Sequence, residues 1–142
     1  MLKNIPHSFT PDLLRLMMAM GHGEELLLSD GNFPALTTGN PAIPRIHIPV
    51  GDIAGLLGEI LVFFPLDETV ENPLIMMESA KESGAFRMYQ KTVEEAGLKS
   101  TIGTVERFEF YKRASAAAGI VITAGTIKGG NILLKKGVVR NT

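Results

Sequence analysis

Short apolar runs recur along the chain, separated by longer segments in which apolar residues follow a helical period. The runs are too brief for helices and are bounded by glycine, proline or polar residues, so they predict strands buried on both faces. Five such strands are predicted, over residues 26–28, 74–77, 102–105, 120–122 and 132–134. A sixth is predicted over residues 45–50, where polar and apolar positions alternate and Pro49 places the end outside the ladder or at an edge.

Four longer segments predict helices, over residues 11–20, 53–64, 85–96 and 107–118. The first opens with Thr10, Pro11 and Asp12, a combination typical of a helix start. Gly21 is expected to end that helix in a left-handed conformation. Strands alternating with helices predict an α/β fold of three layers (α/β/α), with a central, largely parallel sheet and helices on both faces.

The sheet also predicts where a ligand binds, because such folds bind ligands beyond the carboxyl ends of their strands. The loops after Leu28, Met77, Val105 and Ile122 are therefore the expected site. Residues 31–44 hold three prolines and two glycines without a helical period, and they predict an ordered loop.

Composition narrows the classes of function. A length of 142 residues favours a single domain over residues 1–142. The net charge of -1 lacks the basic excess of a nucleic-acid-binding protein, so nucleic acid is not an expected partner. The absence of cysteine excludes disulfides and thiol nucleophiles, and three histidines are few for a soft-metal site. We expect no metal and no cofactor.

No segment predicts membrane insertion or export. The longest weakly charged apolar stretch, residues 53–66, is interrupted by Glu59 and Pro65 and is shorter than the roughly 20 residues that cross a bilayer. The first residues lack the apolar run of a secretory signal. We expect a cytoplasmic location.

His22 is the histidine best placed for chemistry. It lies between two glycines, which permit close approach of a ligand, and imidazole is suited to proton transfer near neutral pH. An equally weighted alternative is a histidine that bonds the last carbonyls of its own helix. His7 and His47 lack this setting and are predicted at the surface or on an edge strand. Neither glycine-rich segment, residues 21–23 or 125–131, matches a nucleotide-binding fingerprint.

Two polar residues flank predicted strands. Asp30 ends the first buried strand, where α/β proteins place functional carboxylates; the alternative is an Asx turn with Asn32. Asn131 precedes the last strand, and its amide offers the donor and acceptor that suit sugar hydroxyls. Ordinary turn chemistry is the alternative for Asn131.

Residues 106–113 are dense in aromatic and hydrogen-bonding groups at a strand-to-helix junction. A helix here buries Phe110 and pairs Glu109 with Arg113 at the surface. Tyr111 then needs a partner for its hydroxyl. A site for a neutral polyhydroxylated molecule is indicated by the combination of Arg107 and Tyr111 with His22, Asp30 and Asn131.

Five blocks carry a resemblance that spans the chain nearly end to end: MGHGEE at 20–25, SDGNFP at 29–34, PLD at 65–67, ERFEFY at 106–111 and NILLKKG at 131–137. In this order and spacing they resemble the RbsD/FucU family of sugar mutarotases and pyranases, and most closely its L-fucose mutarotase branch. The resemblance implies a cofactor-free isomerase that interconverts the α and β anomers of a free monosaccharide, with L-fucose expected.

The resemblance also implies roles for individual residues. His22 and Tyr111 match the catalytic acid/base positions. Four residues match positions implicated in sugar binding: Asp30, Asp67, Arg107 and Asn131. Family members form rings or decamers in which neighbouring subunits help to complete each site, which implies a homo-oligomer.

One position departs from the family pattern. A tyrosine usually stands where this chain has Gly129, so the identity of the sugar is left open. A D-ribose pyranase-like enzyme and a sugar-binding protein without turnover are the alternative functions.

Overall fold

The computed structural model describes residues 1–141; Thr142, the last residue of the predicted domain, lies outside them. The helices are α1 (Pro11–Ala19), α2 (Ile53–Leu61), α3 (Ala80–Ser83), α4 (Ala85–Glu95) and α5 (Arg107–Ala114). The strands are β1 (Glu25–Ser29), β2 (Arg45–His47), β3 (Leu74–Met77), β4 (Ile102–Val105), β5 (Gly119–Ile122) and β6 (Ile132–Lys135). All six predicted strands and four predicted helices are present, and only the short α3 was not predicted.

The strands form one sheet in the order β2-β5-β1-β6-β3-β4. Five strands run parallel, while β6 lies between β1 and β3 and runs antiparallel to both. The direction of β6 follows from its connection, because residues 123–131 contain no helix that could carry the chain back across the sheet. The prediction of a largely parallel sheet is confirmed.

Both faces of the sheet are covered, which explains the continuous apolar runs. Leu26 and Leu28 pack with α1, α2 and α4 in one buried cluster. Leu27 points the other way and packs with Phe33 and Phe110 of the second cluster. The predicted three-layer arrangement is therefore confirmed, and the predicted burial of Phe110 with it.

The end of α1 differs from the prediction. Met20 leaves the helix with an extended backbone (φ -62, ψ 137), and the left-handed residue of the following turn is Gly23 (φ 85), not Gly21. The physical reason is that Lys136 Nζ bonds the carbonyls of Met17 and Met20. The carbonyls at the helix end thus have partners without a left-handed glycine.

Four other elements end before the predicted residues: α2 at 61 rather than 64, α4 at 95 rather than 96, α5 at 114 rather than 118, and β2 at 47 rather than 50. After α2 and α5 the chain makes tighter turns of the 3₁₀ type, in which residues three apart are bonded. Phe63 N donates to Ile60 O, and Ala117 N donates to Ala114 O. β2 ends before Pro49, which has no N–H for the ladder.

Beyond β6 the chain continues between two other segments. On one side, Gly23 N donates to Lys136 O, and Lys136 N donates to Glu24 O, both at 2.8 Å. On the other side, Asp67 N donates to Lys135 O at 3.0 Å. Residues 135–137 therefore hold the Gly-His-Gly turn and the segment that carries Asp67 next to each other.

Gly137 makes this close packing possible. A Cβ atom at this position would lie 2.3 Å from the backbone oxygen of Leu66, whereas a Cβ at Gly51 would have no heavy atom within 4 Å.

We predict that Gly137→Ala lowers the free energy of unfolding by about 1–3 kcal/mol, because backbone must move to admit the methyl group. Gly51→Ala is the matched control and should change stability by less than about 0.5 kcal/mol. Urea denaturation at equal protein concentrations measures both. Equal stability of the two variants would contradict the close approach at residue 137.

Candidate active site

A cleft of about 300 Å³ opens at the carboxyl ends of the parallel strands. Four of the six residues singled out from the sequence line it: Asp30, Arg107, Tyr111 and Asn131. Ser79, after Met77, and Thr126, after Ile122, also line it, so all four expected loops contribute to the cleft. The cleft therefore lies at the edge of the sheet that the fold class predicts.

Asp30 and Asn131 form the buried floor of this cleft. Asn131 Oδ1 accepts from Asp30 N at 2.7 Å, and Asn131 Nδ2 donates to Asp30 Oδ2 at 3.3 Å. Asn32 N donates to Asp30 Oδ1 at 2.9 Å, so the predicted Asx turn is confirmed. Asp30 can form this turn and also bind a ligand, because each of its carboxylate oxygens keeps a lone pair for a ligand hydroxyl.

Tyr111 is presented by the first turns of α5. The Glu106 carboxylate caps this helix by accepting from the amides of Phe108 and Glu109. The Tyr111 ring packs against Phe33, with ring centroids 5.6 Å apart. The phenol is half-buried at the cleft wall, and within residues 1–141 its hydroxyl donates no hydrogen bond. The hydroxyl is therefore free to serve a ligand.

The predicted surface pair between Glu109 and Arg113 is wrong. Arg113 Nη2 instead lies 3.0 Å from Glu25 Oε2, and both side chains are largely buried. The pair joins α5 to β1. An exposed ion pair within a helix contributes little, so Arg113 pairs with the partly buried Glu25 instead of with Glu109.

Arg45 organises the loop that carries Phe33, and sequence reasoning missed it. Its guanidinium donates to the carbonyl oxygens of five loop residues: Ala35, Thr38, Asn40, Pro41 and Ile43. A loop rich in proline with an arginine directly after it was the available signal, since the planar guanidinium offers five donors to such carbonyls.

Gly129 has a local explanation. Its φ is 69°, and a Cβ there would lie 2.8 Å from Ser79 Oγ and 2.9 Å from Ala80 N. A side chain here would be strained by the positive φ and would clash with the backbone of Ala80. The neighbouring carbonyl of Gly130 accepts from the buried Tyr89 hydroxyl at 2.8 Å, which fixes the approach to Asn131. Burial, with smaller contributions from nearby carboxylates, raises the pKa of Tyr89.

His22 and Asp67 lie at the opposite edge of the sheet. The two atoms His22 Nε2 and Asp67 Oδ1 are 3.0 Å apart, with the imidazole 48% exposed and the carboxylate 4% exposed. Thr69 donates to the same Asp67 oxygen from Oγ1 at 2.7 Å and from N at 2.9 Å. The alternative, in which His22 bonds its own helix, is wrong, because Lys136 bonds those carbonyls.

These bonds set the protonation of the pair. Hydrogen bonds from the side chain and the amide of Thr69, followed by the one with His22, lower the pKa of Asp67 to about 2. An ionised carboxylate only accepts hydrogen bonds, so the facing Nε2 must carry the proton. In the neutral ring Nδ1 is then left as an exposed acceptor, which suits a general base.

Within one chain, His22 and Tyr111 do not meet. Strand β1, residues Glu25–Ser29, separates the His22 turn from Asp30 at the cleft. A strand of this length spans about 15 Å. The structure thus brings together Tyr111, Asp30, Arg107 and Asn131, and separately His22 with Asp67.

Among residues 1–141, no group of three or more histidine or acidic side chains is arranged to hold a metal ion. The helices described here include none with the length and apolar character of a membrane span.

Fold and cleft define a three-layer α/β protein with a polar, carboxylate-containing site. The sequence profile of the RbsD / FucU transport protein family matches residues 3–139, and the chain belongs to this family. It is 39% identical to a fucose mutarotase of Mus musculus, over 97% of this chain and 95% of that protein. It is 38% identical to an L-fucose mutarotase of Histophilus somni, over 97% of each.

Comparison with solved structures supports the same family assignment. A fucose mutarotase from Streptococcus pneumoniae, in complex with L-fucose, superposes with a TM-score of 0.88 at 36% identity, covering 98% of this chain and 100% of that one. Bacillus subtilis RbsD, complexed with D-ribose, superposes with a TM-score of 0.78 at 15% identity, covering 99% of this chain and 100% of that one. The second likeness establishes the shared fold.

We predict that Asp67 makes stability depend on acid. Its folded-state pKa of about 2 lies below the ordinary 3.8, so the stabilisation by the carboxylate is present above about pH 4 and is lost as the pH falls towards 2. Asp67→Asn removes this dependence. Urea unfolding between pH 2 and pH 5 should therefore show a steeper loss for the unmodified protein than for Asp67→Asn.

The control for this titration is Asp12→Asn, at an exposed position in the first turn of α1. Asp12→Asn should keep the steep loss of stability as the pH falls towards 2. Parallel curves for the unmodified protein and Asp67→Asn would show that the hydrogen bonds to Asp67 do not stabilise its ionised form.

Proposed function

We propose that this protein is a mutarotase, which interconverts the α and β anomers of a free monosaccharide by opening and reclosing the sugar ring, and that L-fucose is its substrate. The observation that carries the proposal is the pairing of full-length similarity to fucose mutarotases with the geometry at both edges of the sheet. A proton acceptor is poised at His22, and a free phenol faces a polar cleft at Tyr111.

The chemistry requires two proton carriers. A base removes the proton of the anomeric hydroxyl while an acid protonates the ring oxygen, the bond between C1 and the ring oxygen breaks, and an open-chain aldehyde forms. Rotation about the C1–C2 bond and reclosure return both protons and give the other anomer. Positioned acid–base groups typically contribute 10²–10⁴-fold. His22 Nδ1 and the Tyr111 hydroxyl are the two carriers in this proposal.

The other residues bind and orient. Asp30 and Asn131 offer one acceptor and one amide at the cleft floor for sugar hydroxyls, and Arg107 donates from the rim. Asp67 is nearly buried and already accepts from Thr69, so its role in this proposal is to hold His22 in one tautomer rather than to grip the sugar.

The complete site is built by two copies of the chain. His22 and Tyr111 lie at opposite edges of the sheet, so one copy must present His22 to the cleft of another in a homo-oligomer, of which a decamer is one form. Large apolar side chains exposed on one chain offer surface for such contacts: Met18, Leu36, Val62, Phe108 and Val139.

Sedimentation equilibrium at micromolar concentration tests the assembly. We predict a mass that is a multiple of 15.3 kDa and that does not fall on dilution across the range used for activity. A species of 15.3 kDa that retains full activity would contradict a site shared between copies.

Saturation-transfer NMR on α- and β-L-fucose tests the reaction. We predict accelerated exchange between anomers that falls at least about 100-fold in His22→Ala and at least about tenfold in Tyr111→Phe, in line with the loss of one proton carrier. His47→Ala, an exposed histidine on β2, is the matched control and should keep full activity.

The same measurement separates the alternatives. Faster exchange of D-ribose than of L-fucose would indicate a pyranase. Calorimetric binding of a sugar without faster exchange would indicate a binding protein, a reading that the absence of any side chain at Gly129 favours. No acceleration with any aldose would end the mutarotase proposal.

A further inference from the structure

The end of α1 is closed by a side chain from the other end of the sequence. Lys136 Nζ donates to the carbonyl of Met17 at 2.6 Å and to that of Met20 at 2.5 Å. Helix α1 has no basic residue in its own last turn. A cation at this position satisfies carbonyls that have no partner within the helix and interacts favourably with the helix dipole.

The backbone of the same residue holds the other end of the turn that carries His22. Lys136 O accepts from Gly23 N, and Lys136 N donates to Glu24 O, both at 2.8 Å. The three residues 21–23 are therefore fixed before His22 by the Lys136 ammonium and after it by the Lys136 backbone. Glu24 Oε1 adds a bond to Gly21 N at 3.0 Å.

Asp67 is tied to the same short segment, since its amide donates to Lys135 O at 3.0 Å. The distance between His22 and Asp67 thus depends on two attachments to residues 135–136. One is backbone pairing on the Asp67 side, and the other includes the Lys136 side chain on the His22 side.

We propose that Lys136 is a positioning residue for His22: its ammonium ties the end of α1 to residues 135–136, to which the Asp67 segment is also bonded, and so fixes the imidazole relative to the carboxylate. The kinetic consequence rests on the proposed mutarotase function. The positional consequence does not, because the contact between His22 and Asp67 can be observed without a substrate.

The adjacent lysine supplies a matched control. Lys135 is also half-buried, but within residues 1–141 its side chain makes no hydrogen bond or ion pair. Lys136→Met keeps the length and the apolar stem of the side chain but removes the three donors, and Lys135→Met makes the same change one residue away. Lys136→Gln keeps an amide donor and is expected to fall between the unmodified protein and Lys136→Met.

NMR with ¹³C-labelled histidine measures the positional effect directly. The three histidine signals are assigned with His22→Ala and His47→Ala. We expect the His22 ring signal to shift or broaden in Lys136→Met, while the His7 and His47 signals stay in place. Lys135→Met should leave all three signals unchanged.

Kinetics measure the consequence for the reaction. A displacement of about 1 Å at a catalytic group can cost on the order of 100-fold in rate. We expect kcat for anomer exchange to fall about 10- to 100-fold in Lys136→Met, with KM within about twofold, because the cleft that contains Asp30 and Asn131 lies at the other edge of the sheet. A residue that only stabilised the fold would lower the melting temperature and leave kcat of the folded fraction unchanged.

Each result decides the proposal. An unchanged His22 signal in Lys136→Met, or one that matches Lys135→Met, overturns it, as does an unchanged kcat with a lowered melting temperature. If Lys136→Met does not fold, Lys136→Gln is measured in the same way against Lys135→Gln, and an unchanged His22 signal there also overturns it. If the unmodified protein shows no anomer exchange, the mutarotase function fails and the His22 signal alone decides the role of Lys136.

Discussion

The antiparallel strand β6 is the element on which both edges of the site depend. Its amino end delivers Asn131 to Asp30 at the carboxyl edge of the sheet, where the two side chains form the floor of the cleft. Its carboxyl end continues through residues 135–137, which hold the His22 turn on one side and the Asp67 segment on the other. A single strand between β1 and β3 thus supplies the Asn131 side-chain bonds at one edge and leads into the backbone bonds at the other.

The same strand explains why one chain is not enough for the proposed reaction. A strand joins its two ends by a fixed length of extended backbone, so groups attached at opposite ends cannot converge on one sugar. The chemistry of ring opening needs an acid and a base on the same molecule. In the proposed homo-oligomer, a second copy resolves the conflict without any change in the fold, because each copy offers His22 at one edge and Tyr111 at the other.

The fold could be predicted from the sequence because its strands are buried on both faces and its first helix carries a clear start signal. Leu26 to Leu28 and 132–134 are apolar at every position for this reason. Features that depend on long-range pairing could not be predicted. The bond between His22 and Asp67 joins residues 45 apart, and the bond from Lys136 to Met17 joins residues 119 apart.

Candidate site residues were predicted where chemistry and position coincide, as at Asp30, whose turn with Asn32 is local. Arg113 shows the limit of local reasoning, since a helical pairing with Glu109 is available in the sequence but Glu25 lies closer in the folded chain. Likewise, the five carbonyls bound by Arg45 come together only when its loop is closed, so a lone arginine after prolines gave a weak signal.

Coexpression of two impaired variants tests most directly the claim that the site is shared between copies. His22→Ala lacks the base but keeps Tyr111, and Tyr111→Phe lacks the phenol but keeps His22. When the two are coexpressed in equal amounts, random assembly should give about a quarter of the full exchange rate, because each site pairs one edge from each of two copies. A mixture no more active than its separate components would contradict a site built from two chains.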